Sequence, residues 1–282
     1  MLPQEFLERM ENMLGEEYPA FLKSYDIARY QALRLNPQKG DDVSFLNRGG
    51  FSLERVPWAE HGYYYTAKDT PGKHPYHEAG VYYIQEPSAM APAAYLTRQM
   101  ADGAGERILD LCAAPGGKAL HAAQILNGTG MVEARDLTEM KVELIRENIS
   151  RMGFENIRAV QQDATCFDAD SEEKADVLIA DLPCSGLGVL AKKTDLKYKM
   201  NPETETEVAA LQREILDAVC RYVKPEGTLM YSTCTISRTE NEENAGWFAE
   251  KHPEFDLEWE KQIFPSDITD GFYIAKFIRR GR

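Results

Sequence analysis

Short apolar runs alternate with amphipathic stretches along the chain from Glu106 onward. The runs are rich in Val, Ile, Leu and Ala and have the length of buried strands, whereas the stretches between them repeat their apolar positions with the period of a helix. The predicted strands are 107–111, 131–136, 157–160, 175–180, 227–232 and 272–278, and the predicted helices are 117–126, 140–152, 205–223 and 241–251. This alternation is typical of a mainly parallel, Rossmann-like α/β sheet with helices on both faces.

The first part of the chain has a mixed pattern instead, with Gly and Pro between short elements. The elements predicted there are a helix at 3–25 and strands at 32–36, 52–56 and 63–66. Tyr82–Ile84 then leads into a helix rich in Ala and Met that joins the two parts. We therefore expect two units, a small α+β cap over residues 1–95 and a catalytic domain over residues 96–282.

The composition is that of a soluble globular protein, with 43% hydrophobic and 28% charged residues and no apolar run long enough to span a bilayer. The acidic N-terminus lacks the basic start and apolar run of a secretory signal, so a cytoplasmic location is expected. The net charge of −14 disfavours nonspecific binding to a polyanion, because phosphate contacts need clustered Lys and Arg. Two local basic clusters soften that expectation: Lys192, Lys193, Lys197 and Lys199, and Arg279, Arg280 and Arg282.

The segment Asp110–Lys118, Asp-Leu-Cys-Ala-Ala-Pro-Gly-Gly-Lys, ends the first strand of the second unit and opens the following helix. Its paired glycines, Gly116 and Gly117, let the backbone pass close to a ligand, and the helix presents free N–H groups. A nucleotide-like ligand is expected there. The spacing matches neither the dinucleotide nor the triphosphate glycine motif, and a Gly-Gly turn alone is equally compatible with a plain strand-to-helix turn.

Acidic side chains follow the next strands at the same predicted edge of the sheet. Asp136 ends the second strand at the spacing where a carboxylate usually accepts hydrogen bonds from a ribose. Asp163 follows the third strand, where it is placed to accept from an adenine amino group, and Asp181 follows the fourth. A single Asp at a strand end is more often a turn or helix cap, but the succession favours a bound nucleoside.

The five cysteines are odd in number and show no CxxC pair or His-rich spacing, so neither a disulfide framework nor a metal site is expected. Cys112, Cys166 and Cys220 are interpreted as buried, inert side chains. Cys184 and Cys234 lie in polar turns of small residues after predicted strands, where backbone N–H groups stabilise a thiolate and keep it reachable. Two such thiols suit covalent catalysis, and on spacing alone either one is a candidate nucleophile.

Together, these motifs give the sequence a resemblance to the RNA 5-methylcytosine methyltransferases, the family of the bacterial 16S ribosomal RNA enzymes and the NOL1/NOP2/Sun-type proteins. Asp110–Lys118 looks like the cofactor loop of that family, 181–186 (Asp-Leu-Pro-Cys-Ser-Gly) like its fourth motif and 231–236 (Tyr-Ser-Thr-Cys-Thr-Ile) like its sixth. Leu182 stands where the fourth motif commonly has Ala. Further matches are 33–36, 83–90, 211–216 and 240–242, so the resemblance covers nearly the whole chain.

The resemblance implies a class I S-adenosyl-L-methionine-dependent methyltransferase fold with a cap that contacts RNA. Carbon 5 of cytosine is too weak a nucleophile to take a methyl group unaided, so a thiolate first adds to carbon 6. The resemblance implies that Cys234 is that nucleophile, that Cys184 assists release of the methylated base and that Asp181 holds ring nitrogen 3. The residues implied to bind the cofactor are Cys112, Ala113, Ala114, Pro115, Gly116, Gly117, Lys118, Asp136, Asp163 and Asp181.

The implied activity is methylation of an RNA cytosine at carbon 5, with 16S ribosomal RNA favoured by the subgroup and transfer RNA left open. One alternative is a DNA cytosine-5 methyltransferase with Cys184 as nucleophile, against which Cys234 argues. Another is a non-catalytic RNA- or ribosome-binding module, against which the two cysteines and the strand-end aspartates argue. A monomer without membrane contact is expected, and larger relatives carry an appended RNA-binding domain that is not expected in these residues.

Overall fold

The structure, a computed structural model, describes residues 2–24, 31–66, 68–96, 105–190, 192–193, 195–199, 201–266 and 268–281. Residue 25 of the predicted first helix, the segment 97–104 at the predicted boundary between the two units, and Arg282 of the C-terminal basic cluster lie outside the described residues. The side chains of Lys197 and Lys199 lie outside them as well.

The described N-terminal part is built around an antiparallel sheet. Its strands are β1 (Gln31–Leu35), β2 (Leu53–Arg55), β3 (Gly62–Tyr65) and β4 (Tyr82–Ile84), in the order β2-β3-β1-β4. Its helices are α1 (Gln4–Leu14), α2 (Tyr18–Lys23), α3 (Asp42–Arg48) and α4 (Pro75–Glu78). Leu33, Phe45, Tyr63 and Tyr82 form the buried centre of this part, and none of them is more than 5% exposed.

Two helices of this part differ from the prediction. The expected single helix over 3–25 is broken at Gly15, whose φ of 51° is left-handed backbone that glycine adopts without strain. A 3-10 turn at Gly15–Glu17 separates α1 from α2. Helix α3 was not predicted, because its seven residues are too few for a clear helical period, although Asp41 caps it by accepting from Ser44 N at 2.5 Å.

A second, mainly parallel sheet forms the centre of the remaining described residues. Its strands are β5 (Arg107–Leu111), β6 (Met131–Asp136), β7 (Ile157–Gln161), β8 (Ala175–Asp181), β9 (Val223–Thr233), β10 (Phe255–Ile263) and β11 (Phe272–Arg279). They lie in the order β10-β11-β9-β8-β5-β6-β7. The five strands from β9 to β7 run parallel, and β11 and β10 continue the sheet with antiparallel pairing.

Helices cover both faces of this sheet. They are α5 (Ala91–Leu96), α6 (Gly117–Leu126), α7 (Glu139–Met152), α8 (Leu196–Lys199), α9 (Pro202–Val219) and α10 (Glu242–Lys251). Apolar side chains of α5, α6 and α7 pack on one face, and those of α9 and α10 pack on the other. The predicted Rossmann-like α/β fold is therefore confirmed. Within the described ranges, no helix is both long and apolar enough to cross a membrane.

Two elements of this part of the chain, one helix and one strand, depart from the predicted pattern. The predicted helix 205–223 begins earlier, at Pro202, and ends at Val219, because a 3-10 turn follows and Val223 already belongs to β9. Strand β10 was not predicted, because most of its residues are exposed and no apolar run marks it.

Helices α1 and α2 form a buried apolar cluster with the loops that follow β8 and β9. Phe6 on α1 belongs to the same cluster as Leu187, after β8, and Ile236, after β9. Arg9 on α1 also forms an ion pair with Glu205 on α9. The N-terminal helices therefore support the two loops in which the candidate cysteines lie.

The segment 33–36 joins the cap sheet to the helices of the parallel sheet. Arg34 is fully buried; its Nε donates to Gln85 Oε1 at 3.0 Å, and its guanidinium contacts Gln124 on α6. Burial lowers the pKa of Arg34 to about 9. Asn36, also fully buried, donates from Nδ2 to the carbonyl oxygen of Met152 at 2.8 Å, at the end of α7.

Asn36→Ala is expected to lower the free energy of unfolding by about 1–3 kcal/mol, because the buried carbonyls that Asn36 serves lose a donor. These are Gly80 O at 3.1 Å and Met152 O at 2.8 Å. Urea unfolding measures the change. Asn47→Ala makes the same replacement at an exposed residue of α3 and is expected to change the free energy by less than about 0.5 kcal/mol. Equal losses in the two variants would contradict this role of Asn36.

Candidate active site

Two thiols meet where the neighbouring strands β8 and β9 end. The register pairs Asp181 with Ser232, so the chain leaves both strands at the same edge of the sheet. Cys184 and Cys234 follow shortly after these two residues, and their Sγ atoms lie 3.2 Å apart. Both side chains are partly buried. The structure thus brings together the two cysteines that the sequence singled out.

The surroundings of the two thiols give them different acidities. The hydrogen bond from Cys184 lowers the pKa of Cys234, and Lys118 and Lys193 lower it further, against burial and Asp181. The same contact, together with burial and Glu240, raises the pKa of Cys184. These directions favour Cys234 as the thiol that ionises first and Cys184 as the donor in their contact.

Lys118 places a fixed positive charge beside the thiols. Its Nζ lies 2.6 Å from Asp181 Oδ2, and the Ser232 hydroxyl donates to Asp181 Oδ1 at 2.8 Å. Burial acts to lower the pKa of Lys118, but Asp181 and Asp110 raise it on balance, so the ammonium group stays charged. Nζ also lies 5.5 Å from the centroid of the Phe272 ring.

Asp110 is a buried carboxyl for which sequence analysis proposed no role of its own. It is fully buried beside the amide of Ala119, and among the described residues neither oxygen has a well-aligned hydrogen-bond partner. Burial, opposed by Lys118, raises the pKa of Asp110 to about 8. With Lys118 and Asp181 it lines a cavity of 190 Å³. An orphaned carboxyl on a cavity wall fits a ligand group that is cationic or donates hydrogen bonds.

This cavity lies between the cap and the loop that opens α6. Tyr83–Glu86 form its cap side, and Ala113–Pro115 with Gly117 form part of the opposite side. A Cβ on Gly117 would lie 3.1 Å from the Tyr83 ring and 3.4 Å from Gln85 Nε2, so glycine permits the close approach of the cap. Gly116 has a φ of 104°, a backbone conformation that glycine adopts without strain and other residues rarely adopt.

Asp136 accepts a hydrogen bond from the loop that opens α6. Its Oδ2 accepts from Ala114 N at 2.9 Å, while its Oδ1 accepts from Leu137 N at 2.8 Å and lies 3.0 Å from Lys141 Nζ. The residue is 3% exposed. Its carboxylate orders the backbone of the loop, and its contact with a ribose stays a prediction.

Asp163 forms a turn after β7. Its Oδ1 accepts from Thr165 N at 2.9 Å and from Thr165 Oγ1 at 2.7 Å, and these bonds lower the pKa of Asp163. A strand-end Asp often has this turn-forming role. The contact with an adenine amino group stays a prediction.

The three other cysteines have different exposures. Burial, followed by Asp136, raises the pKa of Cys112 to about 12, and burial raises that of Cys220 to about 12 as well. Cys220 is buried as interpreted, whereas Cys112 is only partly buried. Cys166 is exposed, so its interpretation as a buried side chain is wrong, because it lies in the turn that Asp163 closes rather than in a packed strand.

The loop before β11, which contains Asp270 and Gly271, closes the site on the side of the cap. Glu86 Oε1 accepts from Asp270 N at 2.8 Å. Gly271 N donates to Gly188 O at 2.9 Å, and Gly188 N donates to Cys234 O at 3.1 Å. A Cβ on Gly188 would lie 2.3 Å from Gly271 O, so these backbones touch directly. This loop was not predicted from the sequence, although an Asp-Gly pair before the last strand signals it.

The parallel sheet, the strand-end aspartates and the glycine loop on the cavity define a class I methyltransferase fold. The chain superposes on a methyltransferase homologue from Pyrococcus horikoshii with a TM-score of 0.81 and 26% identity, covering 99% of this chain and 100% of that chain. It also superposes on NSun6 from Pyrococcus horikoshii, solved with SFG, with a TM-score of 0.84 and 22% identity, covering 99% of each chain. The predicted fold class is confirmed.

Residues 98–278 match the family described as 16S rRNA methyltransferase RsmB/F, and residues 2–87 match the N-terminal domain of 16S rRNA methyltransferase RsmF. The chain therefore belongs to the RsmB/F family of 16S rRNA methyltransferases, which confirms the resemblance to RNA 5-methylcytosine methyltransferases and S-adenosyl-L-methionine as the cofactor of the family. It is 35% identical over 262 residues to ribosomal RNA small subunit methyltransferase F of Escherichia coli. That alignment covers 89% of this chain and 54% of the relative, so the chain spans about half the length of the curated relatives it matches.

Cys184→Ala is expected to raise the pKa of Cys234, because it removes the hydrogen bond that stabilises the Cys234 thiolate. The pH of half-maximal alkylation of Cys234 by iodoacetamide, followed by peptide mass spectrometry, should then be higher in the variant than in the wild type. Alkylation of the exposed Cys166 in the same samples is the control and should keep its pH profile. An unchanged or lower half-maximal pH at Cys234 would show that Cys184 does not stabilise this thiolate.

Proposed function

We propose that this protein methylates carbon 5 of a cytosine in 16S ribosomal RNA through a covalent adduct with one of its own thiols. The observation that carries the proposal is the 3.2 Å contact between Cys184 and Cys234, beside the ion pair of Lys118 with Asp181. Family membership supports the ribosomal substrate, because the relative from Escherichia coli is named for the RNA of the small subunit.

Cys234 is the nucleophile in this proposal. Its thiolate adds to carbon 6 of the cytosine, forming a carbon–sulfur bond and moving ring electrons toward carbon 5 and nitrogen 3. The lowered pKa of Cys234 supports this role. The charge that develops near nitrogen 3 falls within reach of Asp181 and Lys118, a charge-assisted pair held in place beside the thiols. The base leaves any stack to enter the site.

Cys184 acts in the release step. After methyl transfer, carbon 5 loses its proton, the double bond between carbons 5 and 6 re-forms, and the bond from carbon 6 to Cys234 breaks to return the thiolate. Contact with Cys234 is the largest cause of the raised pKa of Cys184, and that contribution disappears while Cys234 is bonded to carbon. Cys184 then loses its proton to solvent and, as a thiolate, takes the proton from carbon 5.

The chain fits S-adenosyl-L-methionine at the loop Cys112–Lys118. The buried Asp110 carboxyl, without a well-aligned partner among the described residues, suits a positively charged ligand group on the cavity wall. We assign the ribose and adenine contacts to Asp136 and Asp163. When bound, the cofactor supplies the methyl group that carbon 5 receives. The glycines of the loop let the backbone approach it closely.

We assign RNA contact to the cap, residues 1–95, and catalysis to residues 96–282. The cap lies beside the candidate active site, because residues 83–86 line the 190 Å³ cavity. Transfer RNA is the second candidate substrate. A cytoplasmic monomer is the working form of the protein.

Covalent trapping tests the proposal. The protein is incubated with in vitro-transcribed 16S rRNA and S-adenosyl-L-methionine, and protein–RNA adducts are resolved on denaturing gels. Cys184→Ala is expected to accumulate an adduct, because release fails, and Cys234→Ala is expected to form none. Cys166→Ala removes an exposed thiol outside the site and is the control, with turnover like the wild type.

Other results of the same assay assign other functions. An adduct with DNA that depends on Cys184 and survives Cys234→Ala would favour a DNA-type enzyme. Methyl transfer to transfer RNA transcripts alone would change the substrate. Neither adduct nor methyl transfer with any nucleic acid would contradict the proposal and favour a binding module.

Lys193 is the cation that we assign to an RNA phosphate. Lys192 is paired with Asp270 at 2.7 Å, whereas the described residues offer the exposed Lys193 no carboxylate partner. Lys193 also acts to lower the pKa of Cys234, in keeping with a position close to the site. Of the basic cluster proposed from the sequence, Lys193 is therefore the described side chain that is available to contact a phosphate.

Lys193→Ala is expected to reduce the slope of the logarithm of RNA affinity against the logarithm of salt concentration by about 1, because one phosphate contact is lost. Filter binding of the 16S rRNA transcript over a series of KCl concentrations gives the slope. Lys174→Ala is the matched control, since Lys174 is exposed before the opposite end of β8. A slope reduced equally in both variants, or in neither, would remove Lys193 from the interface.

A further inference from the structure

Two stretches that match the family, 211–216 and 240–242, had no role in the sequence analysis. They contribute three fully buried polar residues: Gln212 on α9, and Glu240 and Asn241 just before α10. A polar side chain is tolerated in the interior when its hydrogen bonds are made. The partners of these three side chains are the residues that flank the two cysteines.

Gln212 and Glu240 hold the main chain on both sides of Cys184. Gln212 Nε2 donates to Pro183 O at 2.8 Å and to Glu240 Oε2 at 3.0 Å. Glu240 Oε2 also accepts from Ser185 N at 2.9 Å. One connected pair of side chains therefore fixes the residues before and after Cys184, and we call this pair the Cys184 clamp.

The Cys184 clamp is itself held in place. Gln212 Oε1 accepts from Asn244 Nδ2 at 2.8 Å and lies 2.9 Å from the Tyr231 hydroxyl. All polar atoms of the Gln212 side chain are thus engaged. Gln212 is therefore held rigidly, because any movement would leave one of these polar groups without a partner in a medium of low dielectric constant.

Asn241 holds the residues on both sides of Cys234, through the side chain of Thr233 and the main chain of Thr235. Its Oδ1 accepts from the Thr233 hydroxyl at 2.6 Å, and its Nδ2 donates to Thr235 O at 3.1 Å. The second Nδ2 hydrogen is directed to Gln262 Oε1, at 2.7 Å, on β10. We call Asn241 the Cys234 clamp.

We propose that the two clamps are separate positioning devices, one for each step of the reaction. The Cys184 clamp sets the release of the methylated base, and the Cys234 clamp sets the attack on carbon 6. This inference rests on the proposed function. Gln212, Glu240 and Asn241 are fully buried, so they act through the cysteines rather than on the substrate.

The need for clamps follows from where the cysteines lie. Both follow the last residues of their strands, so neither thiol is fixed by the ladder of the sheet. A displacement of about 1 Å at a reacting group lowers a rate by up to about a hundredfold. Because the clamps bind different flanking residues, loss of one leaves the hydrogen bonds of the other in place.

Two RNA probes measure attack and release separately. A 16S rRNA transcript made with 5-fluorocytidine keeps the adduct after methyl transfer, because carbon 5 carries fluorine instead of the proton that release removes. Adduct formation on this transcript measures attack. An adduct on the ordinary transcript accumulates only when release is slow.

Gln212→Met keeps the length of the side chain and removes the hydrogen bonds of the Cys184 clamp. Attack on the fluorinated transcript is expected to stay within about threefold of the wild-type rate, while the adduct on ordinary RNA rises about tenfold. Tyr231→Phe removes the hydroxyl that donates to Gln212 Oε1 and contacts Glu240 O, leaves every charge in place and is expected to show the same change more weakly. It carries the test if Gln212→Met does not fold.

Asn241→Leu is expected to show the opposite pattern. Attack on the fluorinated transcript falls by about tenfold or more, and no adduct accumulates on ordinary RNA. Asn156→Leu is the matched control, because Asn156 is another buried amide, 8% exposed, and donates to Ala123 O on α6 at 3.0 Å. It is expected to lower thermal stability and to leave the ratio of adduct on the two probes unchanged.

The possible outcomes distinguish failure of the clamps from failure of the proposed function. If Gln212→Met, Tyr231→Phe and Asn241→Leu all follow the pattern of Asn156→Leu while Cys184→Ala still accumulates adduct, the clamps are overturned and the proposed function stands. If the wild type forms no adduct on the fluorinated transcript, the proposed function fails and the clamps fail with it.

Discussion

The parallel pairing of β8 with β9 is the constraint on which the site depends. Its register sets Asp181 opposite Ser232, whose hydroxyl donates to the Asp181 carboxylate at 2.8 Å. Cys184 and Cys234 follow this fixed pair within a few residues, and their Sγ atoms lie in contact. Because side chains alternate between the faces of a sheet, a shift of one residue would turn Asp181 away from Ser232 and from Lys118. The register of two strands thus fixes both the thiol contact and the charges around it.

Elements outside the parallel sheet then enclose this edge. The loops after β8 and β9 have few ladder bonds of their own, so buried side chains must satisfy their backbone groups. Phe6 on α1 packs with Leu187 and Ile236 in these loops, and Glu86 in the cap binds the loop before β11. The cap and the N-terminal helices are therefore part of the site, which explains why motif matches extend far beyond the cysteines.

The alternation of elements was predictable because strands buried on both faces appear as nearly continuous apolar runs. The edge strand β10 was not predictable, since most of its residues are exposed and form no apolar run. The break in the N-terminal helix at Gly15 was not predictable either, because it depends on one backbone angle. The edge that carries the site was predictable as well, because parallel strands bring their carboxyl ends together. The partners of each side chain were not: Asp136 bonds to Ala114 N, and Gln212 reaches a residue 29 positions away. Contacts of this kind arise from packing and leave no local pattern.

The two cysteines show how similar local sequences acquire different chemistry. Both follow a parallel strand in a turn of small residues, and their spacing left either one as the nucleophile. In the folded chain Lys118 and Lys193 favour the thiolate of Cys234, while Glu240 disfavours a thiolate at Cys184. These charges favour the proton of the pair on Cys184. In the proposed cycle, bonding of Cys234 to carbon removes the largest cause of the raised pKa of Cys184, so the contact that first activates the nucleophile later makes its neighbour easier to ionise. One contact of 3.2 Å thus supports both halves of the proposed cycle.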